Sequence, residues 1–108
     1  MIHVKTRYLD DDGYVQFGHY ANGDIAIQLI SDIGEPLATA TVNLEEYGIR
    51  PQKGNILIKD NNENAGMVET FKHNGIITEV IRSFSYGYVV DGAYECVLSD
   101  EWKTKIPQ

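Results

Sequence analysis

Tyr14-Val15-Gln16-Phe17-Gly18-His19-Tyr20-Ala21-Asn22-Gly23-Asp24-Ile25-Ala26-Ile27-Gln28-Leu29-Ile30 is the stretch on which the fold turns. Two runs rich in aliphatic and aromatic residues flank Asn22-Gly23, a dipeptide that tolerates the positive φ a tight hairpin turn demands. With Asn22 and Gly23 as a two-residue loop, Ala21 faces Asp24, Tyr20 faces Ile25, Gly18 faces Ile27 and Gln16 faces Leu29. Side chains alternate across a strand, so Tyr20, Ile25, Ile27 and Leu29 form the expected core face. Val15, Phe17, His19, Ala26, Gln28 and Ile30 form the other, which is apolar enough to need partial cover.

Upstream, Ile2 to Leu9 alternates as a half-buried strand, and Asp10-Asp11-Asp12-Gly13 reads as a turn. Downstream, Asp32-Ile33-Gly34-Glu35-Pro36 is a turn and Leu37 to Leu44 a strand, which completes an N-terminal meander. Glu45 to Asn55 is irregular. Ile56 to Lys59 reads as a short buried strand. A helix from about Glu63 to His73 opens on Asp60-Asn61-Asn62-Glu63, with capping-box spacing, and presents Met67, Val68 and Phe71 as one stripe. It stops at Asn74-Gly75; with Gly75 at C′, Ile76 meets Phe71 as in a Schellman end. Ile76 to Ile81 is a strand, Arg82 to Gly87 a loop, and Tyr88 to Leu98 a last strand or pair of strands, interrupted near Asp91-Gly92. The tail from about Ser99 frays or docks through Trp102. The expectation is a single α+β domain over residues 1–108. It is mainly antiparallel sheet of about five to seven strands, with one short helix near 63–74.

Charge narrows the function. The chain has 16 acidic and 9 basic residues, for a net charge of −7. Between Arg7 and Arg50 there is no Lys or Arg, while Asp10, Asp11, Asp12, Asp24, Asp32, Glu35, Glu45 and Glu46 all lie there. A surface of that sign does not bind phosphates directly and favours a basic protein partner; the plainer reading is a solvated face that aids solubility. No apolar run is long enough to span a bilayer. The N-terminus lacks a signal-peptide pattern and the lone Cys96 has no internal disulfide partner, so the expected setting is a reducing cytoplasm.

Motifs for chemistry are wanting. His3, His19, His73 and Cys96 are scattered without zinc-ligand spacing, and no nucleophile elbow or phosphate-binding loop occurs. Cys96 sits in an apolar strand as a small hydrophobe. Asp60-Asn61-Asn62-Glu63-Asn64-Ala65-Gly66 resembles the start of a calcium loop, but the glycine is one place late and Phe71 stands where the bidentate Glu is needed. No metal, cofactor or catalytic residue is expected, and the chain is read as a binding protein and not an enzyme. Ser83-Phe84-Ser85-Tyr86-Gly87-Tyr88 is dense in aromatics beside glycine: either a contact loop or rings that close the core over the helix.

The stretch Ile56-Leu57-Ile58-Lys59-Asp60-Asn61-Asn62-Glu63-Asn64-Ala65-Gly66-Met67, with Asn74-Gly75-Ile76 and Gly87-Tyr88-Val89, resembles a family of small phage and conjugative-element proteins that carries a domain-of-unknown-function label. Ala21-Asn22-Gly23-Asp24 and Gly34-Glu35-Pro36 also look similar, so the resemblance covers roughly Tyr20 to Leu98. Ala65, where that family often has Glu, and the longer Arg82–Tyr88 region depart from it. The resemblance implies a mobile-element origin and brings no catalytic residue. Some such accessory proteins counter host defences, including CRISPR nucleases.

Two functional expectations result. In one, the protein inhibits a host defence protein by competing at a basic nucleic-acid channel, through Asp10, Asp11, Asp12, Asp24, Glu35, Glu45 and Glu46. In the other it is a regulatory or accessory binding module that works through Tyr86 and Tyr88 or an exposed sheet edge. Such an edge also allows a homodimer.

Overall fold

The Asn22-Gly23 hairpin forms, one residue out of the expected register. In the computed structural model, which describes residues 1–107, the loop has three residues. Tyr20 N–H donates to the Asp24 carbonyl (2.8 Å), Gly23 N–H donates to the Tyr20 carbonyl (2.9 Å), and Gly23 takes the left-handed conformation at φ 90°. This is a turn closed by a glycine bulge. His19 therefore faces Ile25, Phe17 faces Ile27 and Val15 faces Leu29. A one-residue slip moves a strand's side chains to the other face. Here it places Val15 and Phe17, rather than Gln16 and Gly18, beside the buried Ile27 and Leu29. The longer loop wins because it buries more apolar surface, while Asn22 Oδ1 accepts from Asp24 N–H at 3.1 Å to hold the turn.

Around this hairpin, β1 (Ile2–Lys5), β2 (Asp10–His19), β3 (Ile25–Ile30) and β4 (Pro36–Thr39) form an antiparallel sheet in that order. A second sheet has the order β5 (Asn55–Lys59), β7 (Val89–Leu98), β6 (Ile77–Tyr86). Helix α1 (Met67–His73) lies on the core and α2 (Asp100–Lys103) closes the chain. The expected α+β class and antiparallel meander are present.

Four local expectations are corrected. Asp10-Asp11-Asp12 is strand, not turn: the chain reverses earlier, with Thr6 N–H donating to the Leu9 carbonyl (2.8 Å), so the aspartates pair with Lys5, Val4 and His3 across β1. Opposite charges facing each other favour that register. Gly13 marks the point where β2 changes partner; a Cβ there would stand 2.9 Å from Leu37 Cδ1 and 3.0 Å from the Ile30 carbonyl. Second, the strand expected over 37–44 ends at Thr39 and crosses between sheets. Ala40 N–H donates to Ile27, then Ala40 accepts from Lys59 N–H and Val42 N–H donates to Leu57.

Third, Arg82 to Tyr86 is not loop but the second half of β6, and only Gly87 and Tyr88 form the turn. Strand β7 runs through Asp91-Gly92 without interruption, absorbing a bulge with Asp91 at φ 48°. Fourth, the helix starts later than expected. A 3-10 turn (Asn62–Asn64) comes first, and the cap is Asp60, whose carboxylate accepts from Gly66 N–H (3.0 Å) and Val68 N–H (2.9 Å). The C-terminus is the expected Schellman end: Ile76 N–H donates to Phe71 (2.9 Å) and Gly75 N–H to Lys72 (3.1 Å).

The main core joins the first sheet, α1 and one face of the second sheet, around Val4, Ile27, Leu29, Ile56, Ile58, Met67, Phe71 and Cys96. A smaller cluster of Leu44, Leu57 and Ala93 covers the other face, with Ile49, Phe84 and Tyr86 packed on it. Strand β5 is therefore buried on both sides, as its unbroken Ile56-Leu57-Ile58 run suggests. The tail docks: Trp102 packs on Phe17 at 6.3 Å between ring centroids, and Lys105 sits 4.0 Å over the indole. No described helix is long and apolar enough to cross a membrane.

Candidate partner-binding surfaces

The acidic residues separate into two groups. Because Tyr14 pairs with Ile30, Asp10–Asp12 and the β3–β4 turn bearing Asp32 and Glu35 share one end of the β2–β3 hairpin. Asp24 lies at the other end with Glu45 and Glu46, which sit on a 3-10 turn (Glu45–Tyr47) tied back by Asn43 Nδ2 donating to Asn22 Oδ1 (3.0 Å). The six paired residues Tyr14–His19, roughly 20 Å at the usual rise, separate the two ends.

Not all of these carboxylates are available. His3 bridges Asp10 (2.7 Å) and Asp12 (2.9 Å), and Lys5 Nζ reaches Asp10 at 3.0 Å. Hydrogen bonds donated to Asp12 and then to Asp10 raise the His3 pKa above its ordinary 6.5. Those from Lys5 and then His3 hold the Asp10 carboxyl below its usual value. Asp24 is structural. Its side chain is 9% exposed and clamped by Arg50 at 2.7 and 3.2 Å, which ties the segment after the 3-10 turn to the hairpin loop. Asp11, Asp32, Glu35, Glu45 and Glu46 enter no salt bridge among the described residues.

The two tyrosines part company. Tyr86 is half-buried on the smaller cluster, its ring 5.7 Å from that of Tyr47, and serves the core. Tyr88 stands fully exposed (105%) in the β6–β7 turn, with Val90 (79%) beside it. Val90, and the exposed Val80 and Ile81 on β6, are surface residues that sequence reasoning missed. The available signal was the alternation Arg82-Ser83-Phe84-Ser85-Tyr86, whose period of two marks a strand and confines the turn to the next two residues.

Glu95 and Cys96 are committed to structure. Glu95 is wholly buried and accepts from Gln52 N–H (2.9 Å), Asn55 Nδ2 (2.8 Å) and Arg82 Nε (3.0 Å) and Nη2. Burial pushes its pKa up, but Asn55, Gln52 and Arg82 together bring it below the ordinary value. Burial pushes the Cys96 thiol up to about 12, so it carries no thiolate near neutrality. No cluster of three His, Cys, Asp or Glu fit for a metal occurs among the described residues. A concavity of about 550 Å³ opens beside Tyr8, Leu37, Thr39 and Lys59. Two pairs of its polar groups satisfy each other: Tyr20 Oη with Thr41 Oγ1 (3.0 Å) and Lys59 with Glu63 (2.7 Å). No family model matches this sequence, and neither a curated protein nor a solved structure matches it.

Proposed function

We propose that this chain is a regulatory or accessory protein-binding module of a mobile genetic element, and that it holds its partner with the tip of the β6–β7 hairpin. One observation carries the reading. Tyr88 and Val90 lie wholly or largely in solvent at the tip of a long hairpin, with no core residue over them. Tyr88 is buried against neither core cluster, and Tyr gives large contact area at low entropic cost. The test is capture from host lysate with wild-type protein and with Tyr88→Ser combined with Val90→Ser. The double variant is expected to keep its melting temperature and to bind the captured partner about 30-fold more weakly, a loss of about 2 kcal/mol. Undiminished capture would overturn the reading.

A second reading is supported by the acidic end. Asp11, Asp32 and Glu35 share that end and neutralise no base of this chain, which suits competition for a basic nucleic-acid channel such as that of a CRISPR nuclease. Inhibition of guided cleavage should then be stoichiometric, fade with salt, and disappear in a variant carrying Asp11→Lys, Asp32→Lys and Glu35→Lys. Inhibition that survives those three changes would exclude the electrostatic mechanism.

A further inference from the structure

Strand β6 has a neighbour on one side only. Among the described residues, no backbone group of Ile77–Tyr86 bonds to backbone outside β7. Three other edges are covered in part. On β1, the Lys5 N–H and carbonyl bond to Thr70 Oγ1 of α1, and the His3 carbonyl to Nδ2 of Asn74, the residue that caps α1. Strand β5 is paired by the crossing segment at Thr41. Strand β4 has four residues, begins at Pro36, and has its Thr39 carbonyl taken by Asn64 Nδ2 at 2.7 Å. A ten-residue open strand is a template for another strand.

The centre of that edge reads Glu79-Val80-Ile81-Arg82, a sequence whose charges and apolar pair invert about its midpoint. Residues three apart on a regular strand lie on opposite faces. Here they do not: Glu79 faces Val97 and Arg82 faces Glu95, partners two apart on β7, because a bulge inserts one residue between Val80 and Arg82. Glu79 and Arg82 thus share a face. A two-fold axis perpendicular to a sheet preserves faces, so a second copy laid antiparallel places Glu79 of each copy opposite Arg82 of the other, and Val80 opposite Ile81. Val80 and Ile81 are each 37% exposed. Arg82 spends Nε and Nη2 on Glu95, leaving Nη1 to meet a carboxylate. Six of the eight acids in the stretch without Lys or Arg (Asp10, Asp11, Asp12, Asp24, Asp32 and Glu35) lie on the first sheet and its turns, so repulsion between two copies is weaker across the second.

We infer that the occupant of this edge is a second copy of the chain, paired β6 to β6 in the Glu79–Arg82 register. About eight residues a side make a small interface, so association is concentration-dependent. The pairing leaves both Tyr88 tips free at opposite ends of the joined sheet.

Sedimentation of the full chain over a concentration series tests this. The expected mass rises from the single-chain 12.1 kDa toward twice that value. Amides of Thr78–Ser83 should exchange more slowly as the dimer fills. Glu79→Arg sets like charges opposite Arg82 and should weaken association about tenfold or more, since two attractions become repulsions. Glu79 is exposed, so the variant should melt as the wild type does. Tyr88→Ser with Val90→Ser should dimerise normally, which separates this inference from the role given to the hairpin tip. A single-chain mass at every concentration, unaltered dimerisation of Glu79→Arg, or loss of dimerisation in the tip variant would each overturn it.

Discussion

Glu95 shows how a single residue ties the molecule together. Its carboxylate gathers Gln52, Asn55 and Arg82 from three segments, fixing the second sheet to the loop before β5. Glu95→Ala should lower unfolding free energy by about 3 kcal/mol, the low end for breaking a buried pair because Arg82 still reaches solvent, as read by urea denaturation. Its folded pKa lies below the unfolded value, so its contribution is present above the unfolded pKa and is lost as pH falls through the folded one. The difference between wild type and variant should therefore shrink in acid. His3 has the opposite sign. Its raised pKa means that the stability gained from Asp12 and Asp10 is complete below its ordinary 6.5 and is lost as pH rises through the folded value. Proton NMR titration should place the His3 midpoint above 6.5, and Asp12→Asn should lower it; equal midpoints in the two proteins would deny the contact.

At the scale of elements, turns decide more than strands. Gly66 holds the entry to α1 at φ 103°, with an added Cβ 3.0 Å from the Lys5 carbonyl. Gly66→Ala should cost about 2 kcal/mol from backbone strain and that close approach, measured as a lowered thermal midpoint. The helix end was legible because the Asn74-Gly75-Ile76 signal is local and its bonds join neighbours in sequence. The hairpin was legible as a hairpin but not in register. Asn22-Gly23 fits both a two-residue loop and a three-residue loop with a glycine bulge, and the choice falls to whether Phe17 or Gly18 sits over Ile27. The helix start was not legible, since its cap comes from Asp60, six and eight residues before the amides that it accepts.

For the molecule as a whole, the run of acids that looks continuous in sequence is divided by the length of the β2–β3 hairpin, and Asp24 is withdrawn into a clamp with Arg50. Charge reversal at Asp11, Asp32 and Glu35 should therefore act differently from reversal at Glu45 and Glu46, a contrast that binding measurements over a salt series would read directly. Deleting the chain from Ser99 onward uncovers Phe17 and should lower stability by about 2 kcal/mol through lost apolar burial, seen as a drop in the denaturation midpoint.

By itself the sequence determined the α+β class, the antiparallel hairpin at Asn22-Gly23, the buried β5, the helix with its Schellman end and the uneven charge, because each is written in neighbours within a few residues. The tertiary structure alone decided the hairpin register, the placing of Asp10–Asp12 opposite His3 and Lys5, the division of the acids, the burial of Tyr86 against the exposure of Tyr88, and the long open edge at β6. Each of those depends on which distant segments compete for the same apolar face or the same backbone hydrogen bond, and that competition is settled only when the two sheets close on a common core.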